Sequence, residues 1–555
     1  MRYAVTKTVF IQSDTLRFPV KNGAPSRLLQ CSADGGPVRE FEIELAQGKP
    51  DFRVFMDVRP YRGKYLEITV DGAEDDDILN GMEQGDDRIA DDLYQEELRP
   101  QFHFSAKRGW INDPNGLVFC HKEYHLFFQH NPYGTKWGNM HWGHAVSEDL
   151  LHWTELGEAL YPDELGTMFS GCGILDANDT MGLKCDPQDP VLFFYTCAGN
   201  TSRQSRGQKF TQCMAYSKDC GRTLTKYPGN PALPNIKNDN RDPKVIWHEK
   251  SRQWIMALYI DKDEFALLSS RDLKSWSKLQ DYRIPGTGEC PDIFELALDG
   301  DPKKKKWVLW SANGSYLVGD FDGFHFTGED RVITGRTIQS GYSYAAQTWY
   351  NGPDADNRII QIAWATITTP DMPFNGCMTF PCELTLRTTE KGMRIYTNPI
   401  REIEKLRDRT FSWEPGSIRQ GNAIDFEWDH ELYDLSCELD LGSAEKILIG
   451  LNGLELVYHA SEQTLSCKGQ SAVLKPENGK IRLRILMDRA IAEIYGNNGA
   501  VYMPVEAINR QWTKTIRFLS ENGDARLDRL DISVIKPIWT EMPVSFACLP
   551  ANGDT

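Results

Sequence analysis

Three acidic residues lie far apart in the 555-residue chain, yet each occupies a proline-containing turn beside an apolar run: Asp113 in WINDPNG, Asp242 in NRDPKV and Glu289 in GECPDIFEL. Three carboxylates gathered in one pocket suit glycoside cleavage, in which one attacks the anomeric carbon and a second protonates the departing oxygen. If nucleophile and acid stand about 5 to 5.5 Å apart, a covalent intermediate and retained configuration follow. Repulsion between the charges would keep the acid protonated until the nucleophile is esterified. Arg241, adjacent to Asp242, is placed to hold that carboxylate ionised. Each turn taken alone is ordinary, because Asp-Pro and Asn-Gly are strong turn dipeptides. Cys290 follows Glu289, but no histidine is placed as a base for thiol chemistry. His141 and His144 in HWGH are three apart, and residues alternate faces along a strand, so a structural role is expected rather than shared metal ligation.

The elements that must position these groups are strands. Aromatic and β-branched runs bounded by Gly, Pro, Asn and Asp recur, as in YHLFFQH, PVLFFYTC, QWIMALYI, KWVLWSA and RIIQIAWAT, while the best helical candidate is the short PIREIEKL near 399–406. One pattern repeats: SEDLLHW from Ser147 and SRDLKSW from Ser270, with weaker echoes in SKDCGRTLTKY from Ser217 and GDFDGFHF from Gly319. A four-stranded unit returning every 50 to 60 residues or so is the mark of a β-propeller, whose blades must stack to bury their faces. The all-β chain therefore divides into a small N-terminal β-domain (1–72), an acidic linker (73–98), a five-bladed propeller (99–400) and a C-terminal β-sandwich (408–545), the last from its short period-two strands.

Composition bounds the function. The net charge of −17 sits largely in one stretch, since Glu74 to Glu97 holds eleven acidic residues and one basic residue, which reads as a solvated linker. Nucleic-acid binding is disfavoured, because it needs clustered Lys and Arg. The lone tetrabasic run, KKKK at 303–306, reads as a solvated turn between strands. No stretch approaches the roughly 18 to 20 apolar residues of a membrane helix. Thirteen cysteines without a Cys-x-x-Cys pair indicate neither a disulfide framework nor a zinc site, and read mainly as free buried thiols. With no secretory signal visible in MRYAVTKTVFIQSD, this favours the cytoplasm, whereas a polymeric substrate would favour export with the signal removed.

The ordered blocks WINDPNG, FFQHNP, WGNMHWGHAVSEDLLHW, FSGC, RDPKV and ECPDIFEL, over about residues 101–390, closely resemble those of glycoside hydrolase family 32, the β-fructofuranosidases, inulinases and levanases; LRILMDRAIAEIYGNNG resembles that family's sandwich domain. The resemblance implies Asp113 as nucleophile, Asp242 as transition-state stabiliser and Glu289 as acid/base. It also implies a fructosyl pocket lined by Asn112, Gln129, Trp137, Phe169, Ser170, Arg241 and Trp364, and neither a metal nor an organic cofactor. Such types suit a sugar: Trp faces cover C–H patches, while Asn, Gln, Ser and Arg replace the hydroxyls' bonds to water. The expected partner is a fructose-containing oligo- or polysaccharide, hydrolysed at its terminal β-fructofuranosidic bond, with fructosyl transfer, endo action or a non-catalytic sugar-binding propeller as alternatives. Two departures bear on the leaving group: QSGYSYAAQTWY lacks the acidic turn that many relatives carry there, and the N-terminal β-domain is absent from the simplest members.

Overall fold

A computed structural model describes residues 4–72, 76–85, 93–184, 188–328, 342–353, 357–508 and 512–539. Among these the fold is all-β, its only helices being short 3-10 turns. One of them, Arg401–Leu406, is the helix expected from PIREIEKL, and it buries Ile403 and Leu406. No helix of the described residues is long and apolar enough to cross a membrane.

The chain opens with two sheets enclosing one apolar core. One orders strands Ala4–Phe10, Tyr65–Asp71, Arg27–Ala33 and Gly36–Ile43; the other orders Phe52–Asp57, Thr15–Val20 and Glu83–Gly85. That last strand corrects the expected linker. Part of the acidic segment is structural, because Glu83–Gly85 pairs with Thr15–Arg17 and Ile78 and Leu79 are buried in the core. Farther along, Glu96 forms a two-pronged pair with Arg99, at 2.8 Å for each contact, and binds Arg108 at 2.7 Å. The rest of the expected linker, 73–75 and 86–92, lies outside the described residues.

Sequential antiparallel meanders follow. Strands Gly109–Cys120, Glu123–Asn131, His141–Ser147 and Thr154–Leu160 form the first, and three more run through Thr167–Lys226, Arg241–Arg283 and Asp292–Gly328. Tyr344–Thr348, Ile359–Ala365, Cys382–Thr389 and Gly392–Pro399 pair in chain order, joined to the fourth meander by a parallel pairing at Leu298 and Leu386. The repeated motif is one turn used four times. Asp149, Asp219, Asp272 and Asp322 each accept backbone N–H groups from residues just ahead. The residue after each aspartate, Leu150, Cys220, Leu273 and Gly323, takes a positive φ, so the aspartate's carboxylate holds a tight reversal between the third and fourth strands. The KKKK run is not a turn but part of strand Asp301–Trp310, with Lys305 and Lys306 paired to Glu295 and Asp320 on neighbouring strands.

From Arg407 onward, a seven-stranded and a six-stranded sheet close on a single core, as a β-sandwich does. The sandwich grips the preceding sheets through a shared apolar cluster in which Leu486, Tyr495 and Tyr502 meet Phe102, Phe104 and Phe380. At its centre Asp488 accepts hydrogen bonds from the backbone N–H groups of Gln101 and Phe102 and from His103 Nδ1, while Glu493 accepts from the Phe380 N–H.

The cysteine reading needs one correction. Nine described thiols are free and buried, but Cys120 and Cys220 form a disulfide across 100 residues, their Cα atoms 6.0 Å apart. A pairing at that separation leaves no local spacing to detect. His121 lies close enough to both sulfurs for the three to hold a metal, but the bond occupies the two thiols.

Candidate active site

The candidate residues sit where strands begin irregularly. Between Ile111 and Pro114 the first strand of the first meander slips its register against Glu123–Asn131, and this bulge carries Asn112 and Asp113. Corresponding slips fall between Met168 and Gly171, around Phe169 and Ser170, and between Arg241 and Lys244, around Asp242. A bulge frees one residue from the ladder and re-aims its side chain, so strand starts from different meanders can turn polar groups to one place. Asp242, Glu289 and Cys290 all have positive φ, an arrangement that costs about 1 to 3 kcal/mol each for residues with a side chain and persists where surrounding structure enforces it.

Asp113 and Asp242 converge on Cys290, and Arg241 bridges Asp242 to Glu289. The Cys290 Sγ lies 3.4 Å from Asp113 Oδ2 and 3.6 Å from Asp242 Oδ2, and the Cys290 backbone N–H donates to Asp242 Oδ2 at 3.1 Å. Glu289 is its chain neighbour. Asp113 also accepts from Ser170 Oγ at 2.6 Å and Asn112 Nδ2 at 3.1 Å, with Asn112 oriented in turn by the Trp110 indole. Glu289 is held at both oxygens, by Arg241 Nη2 and by the Tyr344 hydroxyl, each at 2.5 Å. The Asp242 N–H donates to Thr196 Oγ1, which donates onward to Gln212.

These surroundings set the charges. Burial pushes the Asp113 carboxyl up, against hydrogen bonds from Ser170, Asn112 and Cys290 that favour its ionised form. Burial, opposed by Arg241 and reinforced by the charges of Glu289 and Asp113, lifts Asp242 to about 7. For Glu289 burial also acts upward, but the Tyr344 and Arg241 hydrogen bonds and the Arg241 charge outweigh it and hold the group below the usual range. Burial and the neighbouring carboxylates raise the Cys290 thiol well above its ordinary value, so it stays protonated and serves as a donor between the aspartates.

Around this centre, Gln129 is buried and donates to the Met168 carbonyl. Trp137 is 55% exposed and meets Phe169 edge-on at 5.9 Å; Phe169 in turn meets Phe210. Trp364 packs edge-on against Trp110 and Tyr344, and its buried indole N–H finds no partner among the described residues. His141 and His144 do not share a ligand: His141 bonds the Asn139 carbonyl and His144 bonds His125. Sequence reasoning missed Tyr344, Thr196 and Trp110, and dismissed Cys290 on thiol chemistry alone. The residues Gln339 to Gly341 of the altered QSG segment lie outside the described residues.

Residues 103–399 match the sequence profile of the glycosyl hydrolases family 32 N-terminal domain, and residues 402–534 that of the family's C-terminal domain. A levanase of Bacillus subtilis is 35% identical over 515 residues, spanning 84% of this chain and 74% of the levanase. An extracellular exo-inulinase of Aspergillus ficuum is 28% identical, spanning 80% and 96%. Among solved structures, exo-inulinase from Aspergillus awamori superposes with a TM-score of 0.71 at 27% identity, covering 80% of this chain and all of that one. A fructofuranosidase from Schwanniomyces occidentalis complexed with fructosylnystose gives 0.70 at 26%, covering 81% and 99%. With Asp113 and Asp242 on bulged strand starts, aromatic and polar side chains around them, and both profiles matched in order, the chain belongs to glycosyl hydrolase family 32.

Proposed function

We propose that the protein is a retaining β-fructofuranosidase that releases terminal fructose from fructans and sucrose. The observation that carries this reading is the joining of Asp113 and Asp242 through Cys290 and of Asp242 to Glu289 through Arg241, from chain positions more than 40 residues apart. The levanase, exo-inulinase and fructofuranosidase relatives support the substrate class. In this reading the five meanders are the blades of one propeller, with the starts of their first strands lining its central channel.

Asp113 attacks C2 of the fructosyl unit while Glu289 protonates the departing oxygen, and water then enters with Glu289 as base. Asp242 hydrogen-bonds sugar hydroxyls and favours the oxocarbenium-like state. The free site distributes its protons differently, since Glu289 is held ionised by Tyr344 and Arg241 while Asp242 is raised to about 7. A bound sugar that presents its glycosidic oxygen to Glu289 competes for those two hydrogen bonds and excludes water, which drives Glu289 to take up the proton it must donate. Ser170, Asn112 and Cys290 keep their donors on Asp113 and so favour its ionised, nucleophilic form.

A non-catalytic binder would have no use for a carboxylate clamped at both oxygens beside two others. The disulfide favours an oxidising compartment over the cytoplasm, and we place the enzyme's work there. The test is product analysis on sucrose, inulin and levan, with the anomer followed by NMR during the first turnovers. Free fructose appearing first as the β-anomer supports the reading; α-anomer, or longer oligosaccharides without fructose, overturns it.

A further inference from the structure

The N-terminal β-domain touches the propeller through Arg39 over the Tyr161 ring, through the Asp71–Arg203 pair and through the loop 132–140 (PYGTKWGNM), which carries Trp137. Tyr133, four residues before that Trp, is buried in the N-terminal domain's own core, where its ring stacks on Phe41 at 3.5 Å and 11°. Two residues after it, Asn139 acts as a surrogate strand. Its Oδ1 accepts from the Glu42 N–H at 2.9 Å and its Nδ2 donates to the Glu42 carbonyl at 2.8 Å, satisfying the outer edge of strand Gly36–Ile43. Between them Lys136 pairs with Glu44 at 2.6 Å and the Thr135 hydroxyl meets Asn22.

The loop needs such support. Gly134 and Gly138 flank Trp137, and Gly138 takes φ +155, a conformation costly for other residues. Trp137 itself is half exposed, and its one ring contact among the described residues is edge-on to Phe169, so ring stacking does not fix its orientation. Within the loop, Asn131 donates to the Lys136 carbonyl and accepts from the Tyr133 N–H and, at 3.0 Å, from Asn139 Nδ2, which holds the backbone of the turn but makes no bond to the Trp137 ring. On the far side, Asn375 donates to the Thr135 carbonyl, again ahead of Trp137.

We infer that the N-terminal β-domain is part of the active-site assembly: by gripping Tyr133 and Asn139 on either side of Trp137, it sets that ring at the pocket mouth and so determines how tightly the fructosyl unit is held. Tyr133 and Asn139 are positioning residues, with Phe41 and Glu42 as their partners. The inference rests on the reading of Trp137 as a substrate-lining residue. It assigns the domain a direct effect on sugar affinity, distinct from bracing the fold.

A double-mutant cycle tests this on the full chain, with sucrose as substrate. Asn139→Gly preserves the positive φ of that position while deleting the amide that binds Glu42 and Asn131, so the Tyr133 variants, which act on the stack with Phe41 in the N-terminal core, separate the domain's share. Tyr133→Ala empties the stack, and Tyr133→Phe restores it. Asn139→Gly and Tyr133→Ala are each expected to raise KM roughly five- to twentyfold with kcat changed by less than about twofold, the pattern of lost ground-state binding. Tyr133→Phe should return KM to near the native value. In a Trp137→Ala background, which itself raises KM, the loop variants should add nothing further, because they act through the missing ring. If Trp137→Ala leaves KM unchanged, the pocket reading fails. If Trp137→Ala raises KM but the loop variants do not, or raise it additively, the role given to the N-terminal domain fails while the pocket reading stands.

Discussion

The contact between sandwich and propeller predicts a loss of stability in mild alkali. His103 is fully buried with Nδ1 at 2.9 Å from Asp488 and Nε2 at 3.5 Å from Glu493, the second within ion-pair range but not aligned as a hydrogen bond. Burial pulls its pKa down, but the Asp488 hydrogen bond and the attraction of both carboxylates prevail and lift it from 6.5 to about 9. A folded value above the unfolded one means that the native state binds the proton more tightly. The stabilisation is therefore complete below pH ~6.5 and is lost as pH rises towards 9. A rise from 6.5 to about 9 corresponds to about 3 kcal/mol at roughly 1.4 kcal/mol per pH unit, and the group's full burial removes any discount for solvent screening. For a fold of this size, such a loss should lower the melting temperature by about 3 °C between pH 6 and 9.5. The assay is thermal or urea unfolding at pH 6, 7.5 and 9.5, comparing the native chain with His103→Gln. The difference between the two should shrink across that interval, since Gln cannot titrate. A constant difference would show that His103 is neutral at pH 6 and would refute the charged lock. Asp488→Ala should be harsher at pH 6, by about 3 to 5 kcal/mol, because there it strands a buried imidazolium as well as the Gln101 and Phe102 N–H groups.

Asp113→Asn should lower kcat by at least about a thousandfold while leaving the melting temperature near the native value; near-normal turnover would remove it as nucleophile. Tyr344→Phe deletes a hydrogen bond to the ionised form of Glu289, so the alkaline limb of the kcat/KM profile should move to higher pH, and an unmoved limb would detach Tyr344 from the acid. Replacing Cys120 and Cys220 by alanine opens a loop closed across 100 residues and should cost roughly 4 kcal/mol, read as a lower urea midpoint that reductant no longer changes; a native midpoint would show the bond to be dispensable.

What the sequence disclosed and what it hid differ in the range over which the determining forces act. A carboxylate held by a proline turn at the head of an apolar run is a local pattern, so Asp113, Asp242 and Glu289 could be singled out from their neighbours alone. The same holds for the Ser-x-Asp turns, where one carboxylate caps N–H groups three or four residues on. Tyr344 escaped because nothing in SYAAQTWY marks the register slip between Tyr344 and Gln347, which depends on pairing with Ile359–Ala365. The disulfide and the link from His103 to Asp488 join residues 100 and 385 apart, and no period or spacing encodes such pairs. The acidic segment was misread for a related reason: its charge density is a local fact, whereas the pairing of Glu83–Gly85 with Thr15–Arg17 requires the whole N-terminal core to form. The same division runs through the site. Residue types announce a sugar-cleaving pocket, but which carboxyl carries the proton is decided by contacts between separate meanders, with Arg241 and Tyr344 drawing it off Glu289 and burial keeping it on Asp242. Chemistry of this kind can be listed from a sequence, and its direction follows only once distant strand starts are brought within 4 Å of one another.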